Sequence, residues 1–285
     1  MDARLVWNTW RRILSDDQLV EWVLHSGGSD AGELTGLTAE EIAILANYAS
    51  TPVATETNIG MYRRGLVRNA LGALSLVPLT RHLLYMSGLE VEDVAGDFVK
   101  SSGYADYGPN FWRTADDFVA YLTGLPEFAT RVQQDVLTID AAAVALAQRL
   151  GESAPAVWPE SVADTFSEAS SRVGLEFTRF VANRAAVVAS TNYDLTAWLE
   201  NPEDFDPNEE LEASTGHWLI YFPAADAGRA YAELSERAAR AFNLLSAPKT
   251  VSEVSPELDG LPDAEVFDVI DSLAQLGVVL IEKDT

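Results

Sequence analysis

Apolar residues recur at helical spacing through the first half of the chain and then switch to strand-like runs, and this switch constrains the fold more than any other feature. Residues 4–14 place Leu5, Val6, Trp10, Ile13 and Leu14 along one helical face. Ser15 with Gln18 reads as a capping box ahead of Leu19, Val20, Trp22 and Val23, and Gly27-Gly28 ends that stretch. Thr38 with Glu41 reads as a second box, opening a helix that Thr51-Pro52 closes. The spacing predicts further helices near 58–75, 77–87, 90–101, 111–123 and 126–150, separated by Pro78, Gly88, Gly103, Pro109 and Gly124-Leu125-Pro126. The segment Gly151–Glu160 carries two prolines and little periodicity, and reads as a linker.

Beyond the linker, Phe177–Thr191 is rich in Val, Phe and Thr and suits one or two strands. His217–Ala224 is a second strand signal, and Arg229–Leu234 alternates as a third after the turn Asp226-Ala227-Gly228. Helices are predicted over about 235–246, after Thr250, and over about 263–276, with a closing strand at Val278–Lys283. Strands, three helices and a strand in this order form the plan of a winged helix. The expected fold is therefore α+β. An all-helical domain at 1–155 precedes a winged-helix-like module at 156–285, which has a three-stranded antiparallel sheet and three helices.

Charge and residue usage narrow the function classes. The 44 Asp+Glu against 19 Lys+Arg give a net charge of −25 over 285 residues, a field that repels phosphate backbones and anionic membranes and draws cationic partners. Cysteine is absent, which removes disulfides and thiolate chemistry. His25, His82 and His217 stand apart in sequence, so no metal site is expected. The alternating acids of Glu200–Glu212 depart from a calcium loop, because Glu209 stands where glycine is needed and Thr215 where the bidentate Glu belongs. Gly27–Gly32 lacks the second glycine of a nucleophile elbow. No phosphate loop, dinucleotide fingerprint or zinc-protease helix occurs, and no acidic pair is singled out for catalysis. No apolar run approaches a membrane span and the N-terminus lacks the form of a signal peptide, so the expected location is the cytoplasm.

A winged helix raises DNA binding, which the charges oppose. Residues 228–285 hold five basic side chains (Arg229, Arg237, Arg240, Lys249 and Lys283) against eleven acids. The third helix presents Asp263, Glu265, Asp268 and Asp271 where a reader of DNA carries Arg, Lys or Asn. One basic concentration stands out, Arg63, Arg64, Arg68 and Arg81. It reads either as a set of surface ion pairs or as a docking patch for an acidic face of a partner protein.

The stretch YRRGLVRNALGALSLVPLTRHLLYMSGLEVEDVAGDFVKSS, continuing to FWRTADDFVAYLTGLPEF (Tyr62–Phe128), resembles the helical domain of partner proteins of the multinuclear non-heme iron-dependent oxidases. LEFTRFVANRAAVVAST and GHWLIYFPAADAGRAYAELSERAARAFNLLSAPKTVSEV resemble that family's strands and the peptide-recognition element they lead into. The methanobactin-type partner is the member for first comparison. The resemblance covers roughly residues 40–285 and rests on architecture and apolar spacing. The first 36 or so residues have no counterpart, and the acidic segment 200–212 is longer than in the family.

This resemblance implies a non-catalytic, cytoplasmic subunit. Its helical domain would bind the oxidase, and its C-terminal module would hold the leader of a ribosomally made precursor peptide during natural-product maturation. Iron would belong to the oxidase, with no cofactor in this chain. A leader can add as a strand to an open sheet edge, here Gly228–Leu234, with side-chain selectivity from the neighbouring helix. The expected peptide-binding residues are Gly228, Arg229 and Tyr231 from the strand and Phe267, Ile270 and Asp271 from the helix, with Asp263, Asp268 and Asp271 drawing basic leader residues. Plain core packing is the alternative for Phe267 and Ile270. Two other functions stay open, a winged-helix regulator acting through protein or DNA contacts and a self-sufficient hydrolase or metalloenzyme.

Overall fold

Asp2 accepts the Arg4 N–H and caps α1 (Ala3–Ser15). The next helix, α2 (Asp17–Glu21), runs into a π-helical turn at Trp22–Ser26. Its cap is Asp16, whose carboxylate accepts from the Gln18 and Leu19 N–H groups, and not Ser15, as the spacing with Gln18 predicts. Asp16 has extended backbone, whereas Ser15 is still helical and donates its hydroxyl to Arg12 O. The Thr38–Glu41 box does open α3 (Ala39–Ala49). There follow α4 (Glu56–Ala73), α5 (Pro78–Met86), α6 (Val91–Ser101), α7 (Phe111–Thr123) and α8 (Arg131–Glu152).

The structure, a computed structural model, describes residues 2–26, 36–108, 110–152, 158, 177–204, 206, 211, 213–224 and 226–282. The glycine-rich segment Gly27–Gly32, most of the linker read at Gly151–Glu160 and most of the acidic run at 205–212 lie outside the described residues. The C-terminal half is built from β1 (Phe180–Ala182), β2 (Ala186–Tyr193), the short α9 (Thr196–Glu200), β3 (Ala213–Tyr221) and β4 (Ala230–Glu233). Helices α10 (Glu236–Leu244), α11 (Val251–Val254) and α12 (Asp263–Gln275) and strand β5 (Val279–Ile281) complete it. The fold is α+β, and no described helix is long and apolar enough to cross a membrane.

The chain divides into two compact units, one of Met1–Ser75 with Gly88–Phe118 and the other of Leu76–Ser87 with Val119–Thr285. This differs from the expected division at 155. In the second unit α8 packs along β2 and against α5, so a helix expected to close an N-terminal domain belongs with the sheet. Its apolar face, with Val136, Leu137, Ile139, Ala143 and Val144 all buried, requires such a neighbour.

In the first unit Trp10 and Tyr62 meet edge to face with centroids 4.5 Å apart, and Trp7 stacks on Trp10. Arg63 donates Nε to Leu14 O (2.9 Å) and Nη2 to Asp17 (3.0 Å), covering carbonyls that α1 leaves unsatisfied at its end. Arg11 donates to Gly103 O and Tyr104 O, in the turn that follows α6.

In the second unit, β2, β3 and β4 form one antiparallel sheet in that order, with Ala186 opposite Tyr221 and Tyr221 opposite Ala230. Strands β1 and β5 form a separate antiparallel pair. Phe180, Leu219, Phe242, Leu245, Val266, Ile270, Leu273 and Val279 form a core among these strands and the last three helices. A bulge between Thr191 and Tyr193 interrupts the β2–β3 ladder, and there Trp218 Nε1 donates to Thr191 Oγ1 at 3.0 Å. Gly216, opposite Thr191, makes room for this bond: a Cβ there would lie 2.8 Å from both Thr191 Oγ1 and Trp218 Nε1. Thr191 and Trp218 are buried and have nowhere to retreat. Gly216→Ala is expected to destabilise the protein by about 1–3 kcal/mol, measured as a lowered midpoint in urea unfolding.

Candidate functional site

The two edges of the β2–β3–β4 sheet differ. Leu234 N–H donates to His217 O, and Ala232 and Ala230 lie opposite Leu219 and Tyr221. By alternation, Tyr231 and Glu233 turn their N–H and C=O groups outward. No described backbone group pairs with them. On the opposite edge, Arg149 Nη2 donates to Ala186 O at 2.9 Å. Asp135 accepts the Asn192 N–H at 2.6 Å and the Asn192 side-chain amide at 2.8 Å. Both protein partners come from α8, so the outer edge of β2 is engaged at both ends while that of β4 is open.

A buried charge pair anchors the start of β4. Asp140 of α8 is fully buried and accepts from Arg229 Nη1 at 3.0 Å and from the Thr80 N–H at 2.7 Å. Arg229 also donates Nη2 to Leu76 O. Burial pushes the Asp140 carboxyl above its ordinary value of 3.8, against the downward pull of Arg229 and Thr80. Burial likewise raises the Tyr231 hydroxyl and the Asp135 carboxyl.

The residues expected to bind peptide fall into two groups. Gly228 is exposed, Arg229 is committed to Asp140, and Tyr231 is half-buried within β4. On α12, Ile270 is fully buried in the core, so its side chain faces no groove. Phe267 packs edge to face on Phe180 with centroids 6.4 Å apart, and Asp271 accepts from Gln275 Nε2 at 2.7 Å. Among the described residues no hydrogen bond or ring contact joins the β4 set to the α12 set. Asp263, Glu265 and Asp268 are exposed.

The expected docking arginines also separate. Arg63 is engaged with α1 and lies over the Tyr104 ring, and Arg81 belongs to the second unit, where it lines a cavity with His82, Tyr85 and Glu203. Arg64 and Arg68 stay exposed on α4, four residues apart, and neither has an ion pair among the described residues. Among the described residues no group of three or more His, Cys, Asp or Glu is assembled to hold a metal. His217 Nδ1 lies 2.8 Å from Ser190 Oγ and His25 lies 3.4 Å from Glu21.

Sequence reading passes over Asp135, Asp140 and Arg149. The available signal was positional, since Asp140 falls four residues after Val136 and three before Ala143, on the apolar face of a helix. An acid placed there needs a partner. Arg229→Ala removes that partner and is expected to cost about 3–5 kcal/mol at neutral pH. With its pKa raised in the folded state, Asp140 favours folding when protonated, so stability is lost as pH rises through that raised value. The deficit of the variant relative to the parent should therefore shrink as pH falls toward 3.8, in paired unfolding curves.

No family model matches this chain, and no curated protein matches it in sequence.

Proposed function

We propose that the protein is a non-catalytic partner subunit that binds an iron-dependent peptide-modifying oxidase and presents the leader of a ribosomally made precursor peptide to it. The observation that carries this reading is the asymmetry of the sheet. One edge is engaged by α8, and the other offers outward N–H and C=O groups at Tyr231 and Glu233. An extended peptide adds to such an edge through main-chain hydrogen bonds. In this reading the strands and the last three helices act as a winged-helix recognition element, and the exposed acids Asp263, Glu265 and Asp268 draw basic leader residues. Holding the leader raises the effective concentration of the attached core peptide at the oxidase.

The oxidase is held through the helical part. Arg64 and Arg68 lie exposed at i and i+4 on a chain of net charge −25, where long-range attraction would otherwise favour a basic partner. Their position supports contact with an acidic partner face. Iron belongs to the oxidase, and the complex works in the cytoplasm.

Three proteins test the reading in one experiment, an affinity pull-down from a lysate of the producing cells read by mass spectrometry. The parent should recover an iron-containing oxidase and a short peptide. Glu233→Pro should lose the peptide and keep the oxidase, because the lost N–H points away from β3 and the β3–β4 ladder survives. Arg64→Glu with Arg68→Glu should lose the oxidase. Recovery of DNA or transcription machinery, or recovery of neither partner by the parent, overturns the proposal.

A further inference from the structure

The first unit holds a cavity of about 320 Å³. Its size falls within the range of roughly 300–1,000 Å³ that small-ligand clefts occupy. Asn58, Met61, Tyr62, Gly65 and Asn69 recur at steps of three and four along α4, so one face of this helix supplies most of the lining. Asp106, from the segment between α6 and α7, completes it. Met61 is 53% exposed, an adaptable apolar side chain at the rim of the space.

Acceptors dominate this lining. The Asp106 carboxylate takes the Tyr62 hydroxyl at 2.6 Å on one oxygen and the Gly108 N–H at 2.8 Å on the other, and a carboxylate offers about four acceptor sites. Asn58 spends an N–H on Val53 O at 2.9 Å, which leaves its amide oxygen, and the Asn69 side-chain amide has no partner among the described residues. Asp106 is the one ionised side chain among the described residues of the lining, and none of them pairs with it as a cation. The charge of Arg11 reaches Tyr62, but its guanidinium donates to Gly103 O and Tyr104 O and lines no part of the cavity. Trp10 meets the Tyr62 ring edge to face and holds that wall in place. Gly65 keeps the helix face open. A Cβ there would meet nothing within 4 Å, so no neighbour demands glycine, although glycine weakens a helix interior.

We infer that this cavity binds an alkylammonium group, its charge held by the Asp106 carboxylate and the amide oxygens of Asn58 and Asn69, and its carbon chain lying over Gly65 against Met61. An ammonium brings three donors to those three acceptor groups, and the Tyr62 ring offers an aromatic wall to the same cation. The net charge of −25 raises the local concentration of such ligands. Two sources share that chemistry, a lysine side chain of a peptide and a free diamine. The site stands independently of the β4 edge and of Arg64 and Arg68.

The test is an NMR titration of the full isotope-labelled chain. The probes are N-acetyl-lysinamide for a peptide side chain, putrescine for a free diamine, N-acetyl-norleucinamide as the uncharged control and ammonium chloride as the simple cation. N-acetyl-lysinamide or putrescine should shift the Asn69 side-chain amide and the Gly65 backbone amide, and the tighter of the two identifies the source. Asp106→Asn should weaken binding roughly tenfold or more. Gly65→Leu, which fills open space with a better helix former, should weaken it as much while the thermal midpoint holds or rises. Thermal unfolding of both variants shows whether the fold is intact, and the leucine variant keeps the test valid where the asparagine variant does not fold. Equal binding of the norleucinamide, ammonium ion binding as tight as either amine, indifference to the folded variants, or no shift at millimolar probe each overturns the inference.

Discussion

Helix α8 sets three charged side chains against the sheet of the second unit, and the arrangement of β2, β3 and β4 depends on them. Asp135 and Arg149 reach the two ends of β2, 14 residues apart along the helix, a rise of about 21 Å that matches the length of the strand. Asp140 between them takes Arg229, which leads into β4. A carboxylate with no exposure costs several kcal/mol unless paired, so the pair restricts where the β3–β4 turn can lie. Apolar packing supplies the stability, while these polar contacts select one placement.

The same contacts divide labour between the two edges. Side chains that satisfy the outer carbonyl of Ala186 and the outer N–H of Asn192 exclude a further strand from β2. Nothing comparable among the described residues reaches Tyr231 and Glu233. Arg229 holds the edge in place by facing inward, which makes it a positioning residue in the leader reading and not a contact. In that reading Tyr231 and Glu233 would meet the leader through their backbone, and side-chain selectivity would fall to the exposed acids of α12.

Local signals in the sequence locate most elements. Thr38 with Glu41 and the apolar spacing of 263–276 place α3 and α12 within a residue or two. The start of β3 at Ala213 is less visible, because Ser214, Thr215 and Gly216 carry no apolar alternation and are extended by pairing alone. The short helix expected after Thr250 is α11, which a capping box of Thr250 with Glu253 opens. What the sequence hides is long-range. Arg229 and Asp140 are 89 residues apart, and Arg63 meets Leu14 O across 49, so a basic cluster in sequence separates into one fastener and three exposed charges. Ile270 illustrates the converse: the apolar spacing that marks the last helix also marks its core positions, and burial decides between core and groove.

A sheet that is closed on one side and open on the other also governs how copies of the chain can associate. Two molecules meeting β4 to β4 about a two-fold axis would form one continuous sheet bounded at both ends by α8. A third copy then finds no strand of that sheet to extend, so edge pairing through it is self-limiting and stops at a dimer. The helix that engages the outer edge of β2 would thereby also guard against open-ended polymerisation at high concentration.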